Sequence, residues 1–155
     1  VPYRVEVIGD GAAGATWMKL AAAHNLGPDK VHFRGFVSEQ ELLEAYGRCD
    51  IFCIPGIAEL QSIVTLEAMS AGKPVVAANA MALPHLVHSG ENGWLYTPGD
   101  IEELRSHLTQ LLTDPEVRQR MGVESQRIVA HHGIEATLQK YDTLYERAIA
   151  VLNGR

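Results

Sequence analysis

Short apolar runs, each cut off by glycine or proline and followed by a helical pattern, constrain the fold of this 155-residue chain more than any other feature. Val5-Glu6-Val7-Ile8 reads as a strand ending at Gly9, and Ala12 to Asn25 as a helix closed by Gly27-Pro28. Val31-His32-Phe33 is a second strand, stopped by Gly35. Ser38-Glu39-Gln40-Glu41 has the spacing of a capping box and opens a helix through Leu42, Leu43 and Tyr46. Ile51 to Ile54 is a continuous apolar strand ended by Pro55-Gly56. Ile63 to Ala71 reads as a helix with Gly72 as its stop. Pro74 to Ala77 is the next strand, Leu83 to Val87 a short helical turn, and Gly93 to Tyr96 a last strand. Beyond it the pattern is helical: Asp100 caps one helix with Glu103 three residues on, and Asp114-Pro115 opens another. Ile134 to Leu152 supplies a final amphipathic helix, with Leu138, Tyr141, Leu144, Tyr145 and Ala148 on one stripe.

Strands that are apolar along their whole length and alternate with helices predict an α/β fold, a parallel sheet covered on both faces. Without repeats or linkers, residues 1–155 are expected to form one domain, long enough to bury about 68–70% of its unfolded surface. Trp17, Met18 and Leu20-Ala21 are expected in the core on the first helix. The net charge of −6 argues against a nucleic-acid binder, which carries a basic face. Residues 101–155 hold 7 basic and 8 acidic side chains, with no polybasic cluster to hold them on an anionic membrane. No apolar run approaches the roughly 18 residues of a membrane span. Cys49 and Cys53, placed on one strand, would stand about 13 Å apart, too far for a disulfide. They read as buried, reduced thiols of a cytoplasmic protein. The start, Val1-Pro2-Tyr3-Arg4-Val5, has neither signal- nor transit-peptide character and reads as a piece of a longer protein. His131-His132 reads as a helix end or a solvent-facing pair rather than a metal site.

Ligands of such sheets bind beyond the C-terminal ends of the strands. The first loop there, Gly9-Asp10-Gly11-Ala12-Ala13-Gly14, is a literal G-x-G-x-x-G between strand and helix. Glycines let backbone amides approach a phosphate at a helix N-terminus. The acidic residue expected about 20 positions further on is replaced by Arg34, which could accept the extra phosphate of NADP. An NADP-binding oxidoreductase domain is therefore one reading, and a glycine-rich turn closing a strand is equally compatible with the residues.

A second constellation follows the third strand, in Pro55-Gly56-Ile57-Ala58-Glu59-Leu60-Gln61-Ser62-Ile63 and the helix carrying Glu67. If Ser62 is the N-cap, Glu67 leans back toward the helix start, because helical side chains tilt toward the N-terminus. The free amides near Gln61, Ser62 and Ile63, with the positive end of the helix dipole, suit a phosphate. Two carboxylates for hydroxyls, with amides between them, describe a nucleotide-sugar site. Spacing by itself is equally compatible with a solvated loop glutamate and an exposed helix glutamate.

This stretch resembles the Glu-x7-Glu signature of retaining glycosyltransferases of family 4, whose GT-B fold has two Rossmann-like domains. The resemblance extends to Val7-Ile8-Gly9-Asp10-Gly11, Val31 to Val37, Cys49 to Pro55, Gly72 to Ala77 and Gly90 to Leu95. These lie in the order of that family's C-terminal, donor-binding domain. The resemblance implies a Rossmann-like parallel sheet with a helical tail. It implies Glu59 on the donor sugar as the catalytic residue, Glu67 on the ribose, and the amides of Gln61, Ser62 and Ile63 on the diphosphate. Gly9, Asp10 and Gly11 would contact the donor, and the base would lie near Gly35, Phe36 and Val37. No metal or other cofactor is implied; the substrate would be a nucleotide sugar such as GDP-mannose or UDP-glucose. The acceptor would be a glycan or lipid, with its contacts on the protein's own N-terminal domain. That places the protein in the cytoplasm or at the cytoplasmic membrane face, with peripheral membrane association through the full-length protein. Where commoner members have Gly-Phe-Gly this chain has Leu60-Gln61-Ser62, and His85 replaces an acidic residue. By the resemblance, the first strand and helix of the family's domain, with an Arg and a Lys for the diphosphate, are expected to be missing from this stretch. A gap in the sheet, or its repair by strand exchange or rearrangement, is therefore expected, as is a fragment without turnover. A non-catalytic sugar-nucleotide sensor is the remaining alternative.

Overall fold

A computed structural model describes residues 2–153. Val1, part of the N-terminal reading above, lies outside the described residues, as do Gly154 and Arg155. The chain divides into two compact units, Val1–Cys49 and Asp50–Arg155. The strands are parallel throughout, as the sequence predicts, but they fall into two sheets, one per unit.

In the first unit β1 (Val5–Ile8) pairs with β2 (Val31–Gly35), with Val5 opposite Val31 and Val7 opposite Phe33. The helices are α1 (Gly14–Ala23) and α2 (Glu39–Arg48). The capping box of α2 is formed: the Ser38 amide donates to Glu41 Oε2 at 2.9 Å, and Ser38 Oγ accepts from the Glu41 amide at 3.3 Å. One face of the sheet is a charged knot. Glu6 accepts from Arg48 at 2.6 Å and lies 3.5 Å from Arg4 and 3.7 Å from Arg34, which also reaches Glu41 at 3.3 Å. Among the described residues of this unit, only Ala45 and Tyr46 are buried. The expectation of a core on α1 is therefore corrected: Trp17, Met18 and Leu20 are exposed, because a two-stranded sheet offers too little apolar surface to cover that helix.

The second unit holds the core. β3 (Phe52–Ile54), β4 (Val75–Ala78) and β5 (Gly93–Tyr96) form the sheet in that order. Central β4 is buried at every residue, which explains its unbroken Val-Val-Ala-Ala. Around it lie α3 (Ile63–Ser70), the short α4 (Leu83–Leu86), α5 (Ile101–Thr113) and α6 (Pro115–Val129). Met69, Leu83, Leu111 and Met121 fill the space between helices and sheet without exposure. Helix α3 ends in a Schellman motif: Gly72, at φ 71°, donates to Met69 O at 3.0 Å, and Lys73 donates to Ala68 O at 3.1 Å. Asp100 accepts from the Glu103 amide and Asp114 from the Glu116 and Val117 amides, as their positions predict. Two glycines are there for want of space. A Cβ on Gly93 would stand 1.9 Å from Val75 O, and one on Gly122 would stand 2.2 Å from Gly72 O. Buried Asn92 accepts from the His88 amide and donates to Leu86 O, which holds the α4–β5 connection closed. Trp94 stacks on His107 with ring centroids 5.0 Å apart.

The tail is α7 (Ile134–Asn153), reached through a 3-10 turn at Ala130–His132 that carries exposed His131 and His132. Its apolar stripe, Leu138, Tyr141, Leu144 and Tyr145, is exposed. Neither cysteine is in a disulfide, but they do not share a strand and are not both buried. Cys49 ends α2, half-buried, and Cys53 lies on β3 with its residue surface exposed. Among the described residues no helix is long and apolar enough to cross a membrane.

Candidate functional site

The loop between β3 and α3 delivers the second constellation to the C-terminal end of its sheet. Ser62 is the N-cap of α3, as its spacing predicts, but its backbone is left-handed at φ 50° and ψ 61°. That conformation turns the hydroxyl inward, where Ser62 Oγ and Thr65 Oγ1 share a hydrogen bond of 2.7 Å. No side chain therefore caps the helix. The Ser62 carbonyl takes the Thr65 and Leu66 amides at 3.0 and 3.3 Å. The amides before them, at the positive end of the helix dipole, face the loop side. An uncapped helix start after a parallel strand is an anion-binding arrangement.

The two carboxylates lie on either side of this turn in sequence and are both half-buried. Glu59 folds back over Gly56, where a Cβ would come within 3.3 Å of Glu59 Oε1, so a larger residue would displace the carboxylate. The Glu59 carbonyl accepts from the Ala82 amide at 3.0 Å, which ties the loop after β3 to the loop after β4. Glu67 sits in the second turn of α3, on a helix whose Thr65, Ala68 and Met69 are buried against the sheet. Its register on α3 is therefore fixed. Of the three expected diphosphate contacts, Ser62 is buried, while Gln61 and Ile63 are exposed.

Sequence reasoning missed the turn before α4. Met81, like Ser62, is a non-glycine residue in left-handed conformation, at φ 51°, one residue before the amide that binds Glu59. Nothing in a methionine signals that backbone.

In the first unit the glycine loop is open. Gly9 has φ 130° and donates to Gly35 O at 2.9 Å, so the two expected contact loops meet through their backbones. Among the described residues, Cβ atoms at Gly9, Gly11, Gly14 or Gly35 would meet no atom within 4 Å beyond their chain neighbours. Asp10 and Gly11 are exposed, Val37 is half-buried and Phe36 is exposed. Arg34, the residue that would have taken the extra phosphate of NADP, is engaged by Glu41 and Glu6. Among the described residues no three His, Cys, Asp or Glu side chains gather as metal ligands.

The sequence model of the family described as glycosyl transferases group 1 matches residues 1–128. A sulfoquinovosyl transferase of Arabidopsis thaliana is 38% identical over 122 residues, 77% of this chain and 23% of that protein. The MMP alpha-(1->4)-mannosyltransferase of Mycolicibacterium hassiacum is 36% identical over 124 residues, 79% of this chain and 30% of that protein. The chain thus spans less than a third of these relatives' length. Among solved structures, sucrose-phosphate synthase of Thermosynechococcus elongatus superposes with a TM-score of 0.82 at 27% identity, covering 96% of this chain and 39% of that one. Anabaena HepE, crystallised with UDP-glucose, superposes at 0.80 with 27% identity, covering 92% and 41%. These likenesses correct the oxidoreductase alternative, which nothing among them supports.

Proposed function

Because the chain belongs to the group 1 glycosyl transferases, we propose that it binds the donor for a retaining transfer of a hexose from a nucleotide sugar to an acceptor hydroxyl. The observation that carries this reading is the uncapped start of α3, with Glu59 in the loop before it and Glu67 on the helix after it. In that reading the amides of Gln61, Ser62 and Ile63 hold the diphosphate and Glu67 takes the ribose hydroxyls. Glu59 contacts the sugar as the catalytic residue. Gly9, Asp10, Gly11, Gly35, Phe36 and Val37 are proposed as further donor contacts.

The transfer breaks the bond between the anomeric carbon and the diphosphate, whose oxygen keeps the electron pair. The acceptor oxygen forms the new bond on the same face and gives its proton to the leaving diphosphate oxygen. Fixed amides at a helix start stabilise the charge that develops on the leaving diphosphate, so the reading needs no metal ion. Turnover, with an acceptor that is a glycan or a lipid, is assigned to the whole protein, and donor binding to these residues.

Calorimetry with UDP, GDP and their sugars tests the proposal. Glu67→Ala should weaken binding by about tenfold or more, the size of a hydrogen bond to a charged group. A protein that binds neither nucleotide, or binds as well without Glu67, would refute the reading.

A further inference from the structure

Ser62 has the side chain of a helix cap and does not cap. Ser38 does: on an extended backbone, at φ −67° and ψ 160°, it accepts from the Glu41 amide at the start of α2. Ser62 stands instead at φ 50° and ψ 61°, and its hydroxyl is bonded to Thr65 Oγ1 at 2.7 Å. Both residues are buried, Thr65 at 0% exposure and Ser62 at 5%. The consequence lies in the amides. Among the described residues, those of Gln61, Ser62, Ile63 and Val64 meet no acceptor, although Ser62 is buried. Buried amides are ordinarily paired, so this run of donors calls for a group from outside the chain. A serine in the left-handed region is strained, and the other state open to it is the ordinary cap. There the backbone is extended and the hydroxyl accepts from the second helical amide, that of Val64. That state would occupy the Val64 donor and, by rotating the backbone, re-aim the amides of Ser62 and Ile63. The Thr65 hydroxyl competes against it by holding Ser62 Oγ in the interior.

We propose that Thr65 is a positioning residue for the donor's diphosphate: by holding the Ser62 hydroxyl off the helix end, it keeps the amides of Gln61, Ser62 and Ile63 open and aimed at the ligand. The inference rests on the donor-site reading and adds what stops that site from capping itself. Thr65, with no exposure, acts through Ser62 and not by contact. The strain at Ser62 is then part of the site's preorganisation, since the donors are uncovered before the ligand arrives.

The test titrates UDP and GDP into the whole protein and three variants. Thr65→Val removes the hydroxyl at nearly constant shape. It should weaken the nucleotide that the wild type binds by about tenfold, the size of an N-cap hydrogen bond that now competes for the amides. Thr65→Ser keeps a hydroxyl and should restore the affinity. The double variant Ser62→Gly, Thr65→Val should restore it too, because glycine has no hydroxyl to cap with and holds a left-handed backbone without strain. Hydrogen exchange without nucleotide gives an independent readout. In Thr65→Val the Val64 amide should become more protected, the sign of a cap, whereas a helix merely loosened by the substitution would protect it less. Unchanged nucleotide binding in Thr65→Val overturns the inference, as does a Val64 amide that loses protection or a double variant no better than Thr65→Val. If Thr65→Val fails to fold, the double variant decides, since it also removes the hydroxyl left without a partner, and loss of nucleotide binding there overturns the inference. A wild type that binds neither nucleotide overturns the donor-site reading as well, whereas binding indifferent to Thr65 overturns the positioning role alone.

Discussion

Ser62 is asked for two things that conflict. Its left-handed backbone suits glycine, which would save about 1 kcal/mol, while its hydroxyl holds the buried Thr65 hydroxyl at 2.7 Å. Ser62→Gly should therefore be nearly neutral in denaturant unfolding, within about 0.5 kcal/mol, because the strain relieved offsets the bond lost. Ser62→Ala keeps the strain and orphans Thr65, and should cost about 1–2 kcal/mol. Equal effects would show that the backbone is not strained. Glu6 makes a prediction about acid. The hydrogen bond from Arg48 holds its carboxyl below the ordinary range, burial opposes this, and the charges of Arg48, Arg4 and Arg34 reinforce it. A carboxylate with a lowered folded-state pKa stabilises above its unfolded value of 4.5, and that contribution disappears as pH falls through the folded-state value. Wild type should exceed Glu6→Gln in stability at neutral pH, and the difference should vanish once pH has fallen below the lowered folded-state value. A gap that persists in acid would mean that shape, not charge, matters at Glu6.

Where elements meet, glycine decides. Helix α6 approaches the turn after α3 so closely that a Cβ at Gly122 would stand 2.2 Å from Gly72 O. Gly122→Ala should cost about 3 kcal/mol by forcing the helix off the turn. Gly11→Ala, in open space at a permissive backbone, should stay within about 0.5 kcal/mol. Chemical denaturation of the two variants separates a packing glycine from a ligand-approach glycine. Much at this level was legible in the sequence. The capping box at Ser38, the stop at Gly72 and the caps at Asp100 and Asp114 fixed helix ends, because each residue satisfies a backbone group by itself. The order of strands and helices followed from apolar runs. The exposure of Trp17, Met18 and Leu20 did not, because a helical apolar pattern says what a face could bury and not whether a neighbour is present. The site was half legible. Spacing gives the positions of Glu59, Ser62 and Glu67 around the start of α3, while their proposed roles rest on the family resemblance. The left-handed backbones of Ser62 and Met81 do not, since neither side chain prefers that region, unlike Asn25, which shares it at φ 56°.

Stability is unequally distributed over the whole molecule. Met69, Val75, Leu83, Leu111 and Met121, all without exposure, belong to the second unit, while among the described residues of the first only Ala45 and Tyr46 are buried. Amides of β1 and β2 should exchange with solvent well before those of β4, in the manner of a unit with few buried apolar contacts. Uniform protection in native-state hydrogen exchange would show the two units to open together. A saturating nucleotide should raise protection at the start of α3, where amides lack a cap. The stack of Trp94 on His107 gives these events an optical address. The chain's two tryptophans fall one to each unit, Trp17 exposed on α1 and Trp94 half-buried on β5. Their emission should separate by colour, red from the wet indole and blue from the sheltered one. A single spectrum recorded along a denaturant series then times each half of the molecule by its own lamp.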